Sequence, residues 1–291
     1  MKKVTFYYGD PSTYNHFLPI HNNINNSQLI NLNNCDNFNS DIGIYGLSTN
    51  QKEVFINKYD NFKILYIEGL VGNRLKGVET LDFNLILVCN NKCKDFIASR
   101  FSNKVDIIGD TFYNQIILNN KNLSLKKKFY TLFLSPDDDK MDKELLNINN
   151  FFDTINLIKK YSSNIKILIR FHPRTSKKFL SNIKKNYVND ESIFFDNSIM
   201  NDKVIRNSII TFGIGTSMYY ESILNNVPSC FININKKFSD IYSLFNMEDI
   251  ILICSENSLK QFINEPYIKD SFKNNHLTSI KKFINVIKLI K

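Results

Sequence analysis

Short apolar runs of strand length recur along this chain, and several of them stop abruptly at polar or glycine-containing segments. The run Ile165–Arg174 reads IKILIRFHPR, and a second run, Ser208–Phe212, breaks at Gly213–Ser217 before a helical pattern over Met218–Leu224. Such runs, alternating with helix-capable stretches, are typical of a parallel α/β sheet. Because ligands of open α/β sheets bind outside the carboxyl ends of the strands, these two break points predict a binding site.

The chain has 291 residues, which is enough for two domains of ordinary size. The strand-like runs of its first part are Val4–Tyr8, Ile42–Tyr45, Lys63–Ile67, Phe83–Cys89 and Val105–Ile108. A polar, lysine-rich stretch at 119–128 separates them from a buried-type run at Phe129–Leu134. We therefore predict one α/β domain over 1–125 and a second over 126–275.

The last residues, 276–291, follow a helical pattern. Apolar residues stand at positions 277, 280, 283, 284, 287 and 290, with lysines between them. This spacing predicts an amphipathic helix. One interpretation is a closing element that packs across both domains, and the alternative is a basic face that rests on an anionic membrane.

The charge balance limits the classes of partner. A net charge of +9 is compatible with nucleic acid, an anionic membrane or an anionic substrate. The lysines are scattered, and the sequence contains no RNA-recognition, zinc-finger or helix-turn-helix signature, which argues against nucleic acid. The start of the chain is too short and polar for a signal peptide, and no apolar run approaches the roughly 18 residues of a membrane span. We expect a cytoplasmic protein, either soluble or peripheral on the inner face of the cell membrane.

The five cysteines stand mostly in apolar runs, as reduced core cysteines do. Cys89 and Cys93 have the spacing of half a metal site, but no second Cys/His pair follows at a useful distance. We therefore expect no metal and no resident cofactor.

The strongest single motif is His172-Pro173. Proline after histidine excludes the helical region for the histidine and holds it extended at the end of a strand. A histidine fixed there can present a ring nitrogen to a bound anion, and it can neutralise or protonate a leaving phosphate. Arg170 and Arg174 flank it and add positive charge.

The segment Gly213–Ser217 forms the second motif. Gly213 and Gly215 allow a ligand to approach the backbone closely. Thr216 or Ser217 is expected to cap the helix that begins near Met218, where free N–H groups favour a phosphate. Glu221, about one turn further, is placed to accept hydrogen bonds from ribose hydroxyls.

Weaker signals follow three other strand-like runs. Glu68, followed by Gly69, is a carboxylate at a strand end and is suited to act as a general base. Asp137–Asp139 could bind a divalent metal, but such a run more often complements a helix dipole. Two further sets complete the candidate residues: Ser135 and Pro136 for a base or ribose pocket, and Gly9, Asp10 and Ser12 in a loop over residues 9–16 facing the acceptor.

In chain order, Glu68-Gly69, His172-Pro173 and Thr216-Ser217 resemble the motifs of bacterial GT-B sialyltransferases, above all the lipooligosaccharide sialyltransferases and polysialyltransferases. That group has an acidic-acidic-Gly motif, an HP motif after a strand of the C-terminal domain and a later Ser/Thr pair. Ile67 takes the place of the first acidic residue here. The resemblance has motif-level specificity only over about 130–230, and it implies a GT-B fold, with two Rossmann-like domains facing a central cleft.

The resemblance also implies roles for these residues. Glu68 is the base for the acceptor hydroxyl, His172 stabilises or protonates the departing CMP phosphate, and Thr216 and Ser217 hold that phosphate. The expected reaction is an inverting, metal-independent transfer of sialic acid or a related nonulosonic acid from a CMP-activated donor to a cell-surface glycan. Because only one carboxylate of the acidic motif remains, Asp10 and Asp137–Asp139 are alternative bases.

Three other functions compete with this interpretation. The first is another CMP- or CDP-donor transferase, acting on Kdo or glycerophosphate. The second is a UDP-sugar enzyme of GT-B type, either a transferase or a 2-epimerase. The third is a binding module without catalytic activity. The sequence leaves the acceptor sugar, the linkage and the oligomeric state open.

Overall fold

The structure of the protein is a computed structural model. It describes residues 2–32, 39–46, 60–67, 82–98, 104–119, 127–134, 148–162, 164–198, 201–234 and 249–290. The chain divides into two compact units, one of residues 1–119 and 274–291 and the other of residues 120–273. Several predicted site residues lie outside the described residues, and their roles stay predictions: Glu68, Gly69, Ser135, Pro136 and Asp137–Asp139.

In its described residues, the first unit contains a six-stranded sheet with the order β2-β1-β3-β4-β5-β6, in which every neighbouring pair is parallel. The strands are β1 (Val4–Tyr8), β2 (Ser27–Asn31), β3 (Ile42–Gly46), β4 (Phe62–Ile67), β5 (Leu85–Val88) and β6 (Lys104–Ile107). Its helices are α1 (Pro11–His21), α2 (Asn91–Ala98), α3 (Thr111–Asn119) and α10 (Ser279–Leu289). The central strands β3, β4 and β5 are mostly buried, which agrees with their apolar sequences.

Two features of this unit differ from the sequence-based expectation. Strand β2 was missed because its sequence, SQLIN, is partly polar and half-buried along its whole length, as suits an edge strand. The predicted loop over residues 9–16 is wrong beyond Asp10, since α1 begins at Pro11. Asp10 caps this helix by accepting a hydrogen bond from the Thr13 backbone N–H at 3.0 Å, and proline is favoured at the first helical position.

Helix α10 completes the core of the first unit. Phe283 is fully buried, and its ring lies 5.3 Å from that of Tyr66 and 6.5 Å from that of Phe6. Ile287 joins the same apolar cluster, and the helix packs on α1 and α3. The amphipathic pattern of residues 277–290 therefore marks a helix whose apolar face is part of this unit's core.

In its described residues, the second unit also contains a six-stranded parallel sheet, with the order β12-β11-β10-β7-β8-β9. The strands are β7 (Phe129–Leu134), β8 (Ile167–Arg170), β9 (Ile193–Phe195), β10 (Ser208–Ile214), β11 (Ser229–Ile232) and β12 (Leu252–Ile253). The helices are α4 (Ile148–Tyr161), α5 (Lys177–Asn186), α6 (Asn201–Asn207), α7 (Met218–Leu224) and α8 (Glu256–Asn264). A further helix, α9 (Ser271–His276), spans the division between the two units, so that His276 belongs to the first unit. This strand order is that of a Rossmann-type doubly wound sheet.

None of the helices in the described part of the chain has the length and hydropathy of a transmembrane span.

Candidate functional site

The sheet of the second unit has a reversal of strand order between β7 and β10. From β7 the chain proceeds outward through β8 and β9, and it then returns to β10 on the other side of β7. In sheets of this type, ligands bind outside the carboxyl ends of the strands, at this reversal. This rule places the candidate ligand site at the ends of β7 and β10, directly before Gly215 and Thr216.

The two sequence motifs lie on either side of β7. Arg170 of β8 and Gly213 of β10 are both in register with Phe133 of β7. His172 and Gly215 each follow two residues later, so they extend from the same level of the sheet. Because neighbouring strands are about 4.8 Å apart, β8 and β10 are separated by roughly 10 Å. The structure thus brings the HP motif and the Gly/Thr/Ser motif to one edge of one sheet.

His172 lies half-buried in a turn that follows β8. The Thr175 backbone N–H donates to the His172 carbonyl at 2.9 Å, and the Arg174 N–H donates to Nδ1 of the His172 ring at 3.1 Å. A ring nitrogen that accepts a hydrogen bond carries no proton, so the neutral ring has its proton on Nε2. Protonation of Nδ1 would break the bond from Arg174. This geometry leaves Nε2 as the ring nitrogen that can donate a hydrogen bond.

The two flanking arginines have different surroundings. Arg170 is only 8% exposed; its guanidinium donates to the Asp196 carbonyl and, at 2.8 Å, to Oδ1 of Asn201. Burial lowers the pKa of Arg170, and Asp196 partly opposes this effect. These bonds fix the end of β8 to the segment after β9 and to α6. Arg174 is exposed beside His172. The predicted donor-binding role of Arg170 stays a prediction, with its guanidinium engaged by the protein itself.

Strand β10 is longer than the sequence predicted, because Gly213 and Ile214 pair with β7 as strand residues. The break comes at Gly215, whose φ of +60° is in the left-handed region that glycine adopts readily. A Cβ atom at Gly213 would lie 3.2 Å from the Phe231 ring and from Cγ2 of Thr216. Glycine thus allows the turn after β10 to fold back tightly over the end of the strand.

The two hydroxyl groups at the start of α7 differ in the hydrogen bonds that they make to the helix backbone. Thr216 Oγ1 accepts a long hydrogen bond of 3.3 Å from the Met218 backbone N–H. Ser217 occupies the N-cap position, is exposed, and makes no capping hydrogen bond through its side chain. Capping by Thr216 is therefore weak, and Ser217 does not contribute to it. Glu221 lies half-buried in the first turn of the helix.

The residues predicted to face the acceptor lie at the corresponding edge of the first sheet. Gly9 and Asp10 directly follow β1, and β1 and β3 are the neighbours at which that strand order reverses. The Asp10 carboxylate accepts hydrogen bonds from the backbone and side chain of Thr13, whereas Ser12 is exposed. Asp10 thus has a structural task as the cap of α1 in addition to any role towards an acceptor.

A buried polar cluster at the carboxyl edge of the first sheet was missed by sequence analysis. Oδ1 of Asp110 lies 3.0 Å from Nδ1 of His16 and accepts from the Tyr113 backbone N–H at 3.1 Å. The Asp110 backbone N–H donates to Nδ1 of His276 at 2.7 Å. Burial raises the pKa of Asp110, but His16 and these hydrogen bonds outweigh it and hold the pKa below its ordinary value. The cluster ties α1, α3 and α9 together, and no local motif signals it.

His276 makes the stability of the protein depend on pH. Burial lowers its pKa from 6.5 to about 4, so the folded protein keeps the ring neutral where the unfolded chain protonates it. Stability is expected to fall as the pH falls from about 6.5 to about 4, by on the order of 3 kcal/mol. Free energies of unfolding measured across this range test the effect. His276→Asn, which keeps an acceptor in place of Nδ1, should flatten the slope, and an unchanged slope would contradict this assignment.

Within the described residues, no group of three or more His, Cys, Asp or Glu side chains forms a potential metal site.

Comparisons with known proteins identify the fold of the chain. No protein-family model and no curated protein sequence matches it. Among solved structures, UDP-GlcNAc 2-epimerase from Methanocaldococcus jannaschii is similar with a TM-score of 0.65 and 15% identity, covering 98% of this chain and 99% of that one. The wall teichoic acid polymerase TagF is similar with a TM-score of 0.55 and 14% identity, covering 98% of this chain and 84% of that one.

A third similar structure is TarM from S. aureus, with a TM-score of 0.52 and 14% identity over 84% of this chain and 55% of that one. At these identities the likeness concerns the fold, and none of the three structures is of a sialyltransferase. Together with the two parallel sheets, the comparisons confirm the predicted fold class. The protein has a GT-B fold built from two Rossmann-like α/β domains.

Proposed function

We propose that this protein is a glycosyltransferase that uses a nucleotide-activated donor, and that the donor is a CMP-activated nonulosonic acid such as sialic acid. The observation that carries the proposal is the position of His172 and Thr216 on either side of β7, at the strand reversal of the second sheet. A neutral Nε2–H and a threonine hydroxyl can both donate hydrogen bonds to phosphate oxygens. The resemblance to sialyltransferase motifs supplies the choice of CMP.

The proposed reaction is a single displacement at the anomeric carbon. The acceptor hydroxyl forms the new glycosidic bond while the bond to the CMP phosphate oxygen breaks, and the configuration inverts. His172 stabilises the negative charge that develops on the departing phosphate by donating from Nε2. Glu68, which lies outside the described residues, takes the proton of the acceptor hydroxyl in this proposal. The acceptor is a hydroxyl of a cell-surface glycan, and the protein needs no metal.

A second candidate is an enzyme that acts on a UDP-sugar or on CDP-glycerol. It is supported by the coverage of nearly the whole chain in the comparison with UDP-GlcNAc 2-epimerase and with TagF. One similar TagF structure was obtained from a crystal soaked with CDPG. The same candidate site and the same His172 would serve either donor, because each donor presents a phosphate attached to a pyrimidine nucleoside.

The test is nucleotide release from a panel of donors in the presence of EDTA, with lactose as a simple acceptor. The panel contains CMP-sialic acid, CMP-Kdo, CDP-glycerol and UDP-N-acetylglucosamine, and epimerisation of the last is followed separately. We expect turnover of CMP-sialic acid. Turnover of another donor alone would replace the proposed substrate, and a requirement for divalent metal would contradict the metal-independent mechanism.

A further inference from the structure

We propose that the outward face of α10, together with the apolar groove beside its C-terminal end, docks on an anionic membrane surface. We call this region the α10 surface; it consists of the exposed residues of α10 and the residues that line the groove. The inference concerns the first unit alone and does not depend on the identity of the donor.

The outward face of α10 is basic. Lys281, Lys282 and Lys288 are all exposed, and the sequence Ser279–Leu289 contains no acidic residue. At 100° per residue, these lysines and Leu289 fall within an arc of roughly 120° on one side of the helix. The opposite side, which includes Phe283, is buried in the core of the unit. The helix therefore presents its positive charge in one direction.

An apolar groove adjoins this basic face. Leu289 is 78% exposed, the largest exposure among the large hydrophobic residues described. With Val286 from α10, with Ile290 directly after it, and with Phe62 and Leu85 from the starts of β4 and β5, it lines a cavity of about 430 Å³. The remaining lining residues are polar: Asn84, Lys104 and Asp106, and the Asp106 carboxylate is paired with Lys104 at 3.2 Å. The groove thus lies at the amino-terminal edge of the first sheet, opposite the edge that carries the buried Asp110 cluster.

This combination of features fits an anionic bilayer better than a soluble polyanion. A lysine near an anionic leaflet is attracted electrostatically, and an exposed leucine beside it can enter the headgroup region. A nucleic acid would use the charge but not the leucine, and no aromatic side chain for stacking is exposed on this face of α10. The apolar residues therefore distinguish the membrane from other anionic partners.

Flotation of the full-length protein with vesicles tests the proposal. Vesicles of phosphatidylcholine with phosphatidylglycerol are compared with phosphatidylcholine alone, at low and high salt. The variant K281Q/K282Q/K288Q is expected to partition roughly 100-fold more weakly onto the anionic vesicles. The matched control is K177Q/K178Q/K185Q, which removes three exposed lysines from α5 of the second unit. The two triple variants therefore have the same net charge.

The apolar part of the α10 surface has its own variant. Leu289→Ser is expected to weaken binding roughly tenfold, whereas Val188→Ser, which changes a residue 75% exposed in the second unit, should not. All substituted side chains are exposed, so far-ultraviolet circular dichroism should confirm unchanged folding. Absence of binding to anionic vesicles, or an equal loss in the α5 control, would overturn the proposal. Binding to anionic vesicles that is insensitive to Leu289→Ser would overturn the role of the apolar groove in docking.

Discussion

Replacing His172 by alanine is expected to reduce turnover of the nucleotide-sugar donor at least about 100-fold, because the proposed mechanism loses the side chain that stabilises charge on the departing phosphate. The second sheet itself should be unaffected, since His172 is only half-buried and lies in a turn after β8 rather than in a strand. Steady-state release of nucleotide from the preferred donor measures the effect.

The variant His172→Gln distinguishes two possible roles of this residue: stabilising the departing phosphate by a hydrogen bond, and protonating it. Glutamine carries an N–H₂ group near the position of Nε2 and can donate a hydrogen bond, but it cannot transfer a proton at neutral pH. The bond from the Arg174 N–H to Nδ1 favours a histidine that donates a hydrogen bond without transferring its proton. The His172→Gln variant should therefore keep part of the activity that the His172→Ala variant loses. His21→Ala, a half-buried histidine of the first unit, is the control. Near-normal turnover in a folded His172→Ala variant would remove His172 from the mechanism.

Replacing Asp110 by alanine is expected to destabilise the first unit by roughly 3–5 kcal/mol, the cost of removing the carboxylate from a buried carboxylate–histidine pair. Asp110 is fully buried; its loss leaves His16 without its carboxylate and removes the acceptor for the Tyr113 N–H. Asp110→Asn keeps an acceptor oxygen, so it should cost less. The midpoint of denaturant unfolding, converted to a free energy, measures both effects.

Asp190→Ala is the matched control in the second unit. Asp190 pairs with Lys159 at the surface, where a salt bridge contributes at most about 1 kcal/mol. A loss for Asp110→Ala no larger than that for Asp190→Ala would contradict the structural role of the buried cluster.

The fold class was predictable because it depends on a local signal. Buried parallel strands such as β4 and β7 are continuous apolar runs, and the recurrence of such runs in both parts of the chain predicts an α/β protein with parallel sheets. Strand β2 lacks that signal because it lies at the edge of the sheet, where a half-buried strand can carry polar residues. Helix α1 was mistaken for a loop because Gly9, Asp10 and Pro11 are turn residues, whereas Asp10 and Pro11 here cap and start a helix.

The candidate site was predictable where residues follow a strand directly. His172 and Thr216 come just after β8 and β10, and parallel strands place their carboxyl ends on one edge whatever the strand order. The strand order, and hence the position of β7 between them, required the structure. The engagement of Arg170 by Asp196 and Asn201 was also hidden, because those partners come from a segment that has no sequence motif. For the same reason, the pairing of His16 with a carboxylate 94 residues later could not be inferred.

Histidine NMR of the full chain, recorded while CMP is added, is the direct test of a phosphate site beside His172. The chain has four histidines, and His172 is the one that belongs to the second unit. The spectrum of His172→Gln identifies its resonance. We expect CMP to shift the His172 signal and to leave the signals of the buried His16 and His276 in place. A His172 signal that does not move at saturating CMP would contradict a phosphate site at this edge of the second sheet.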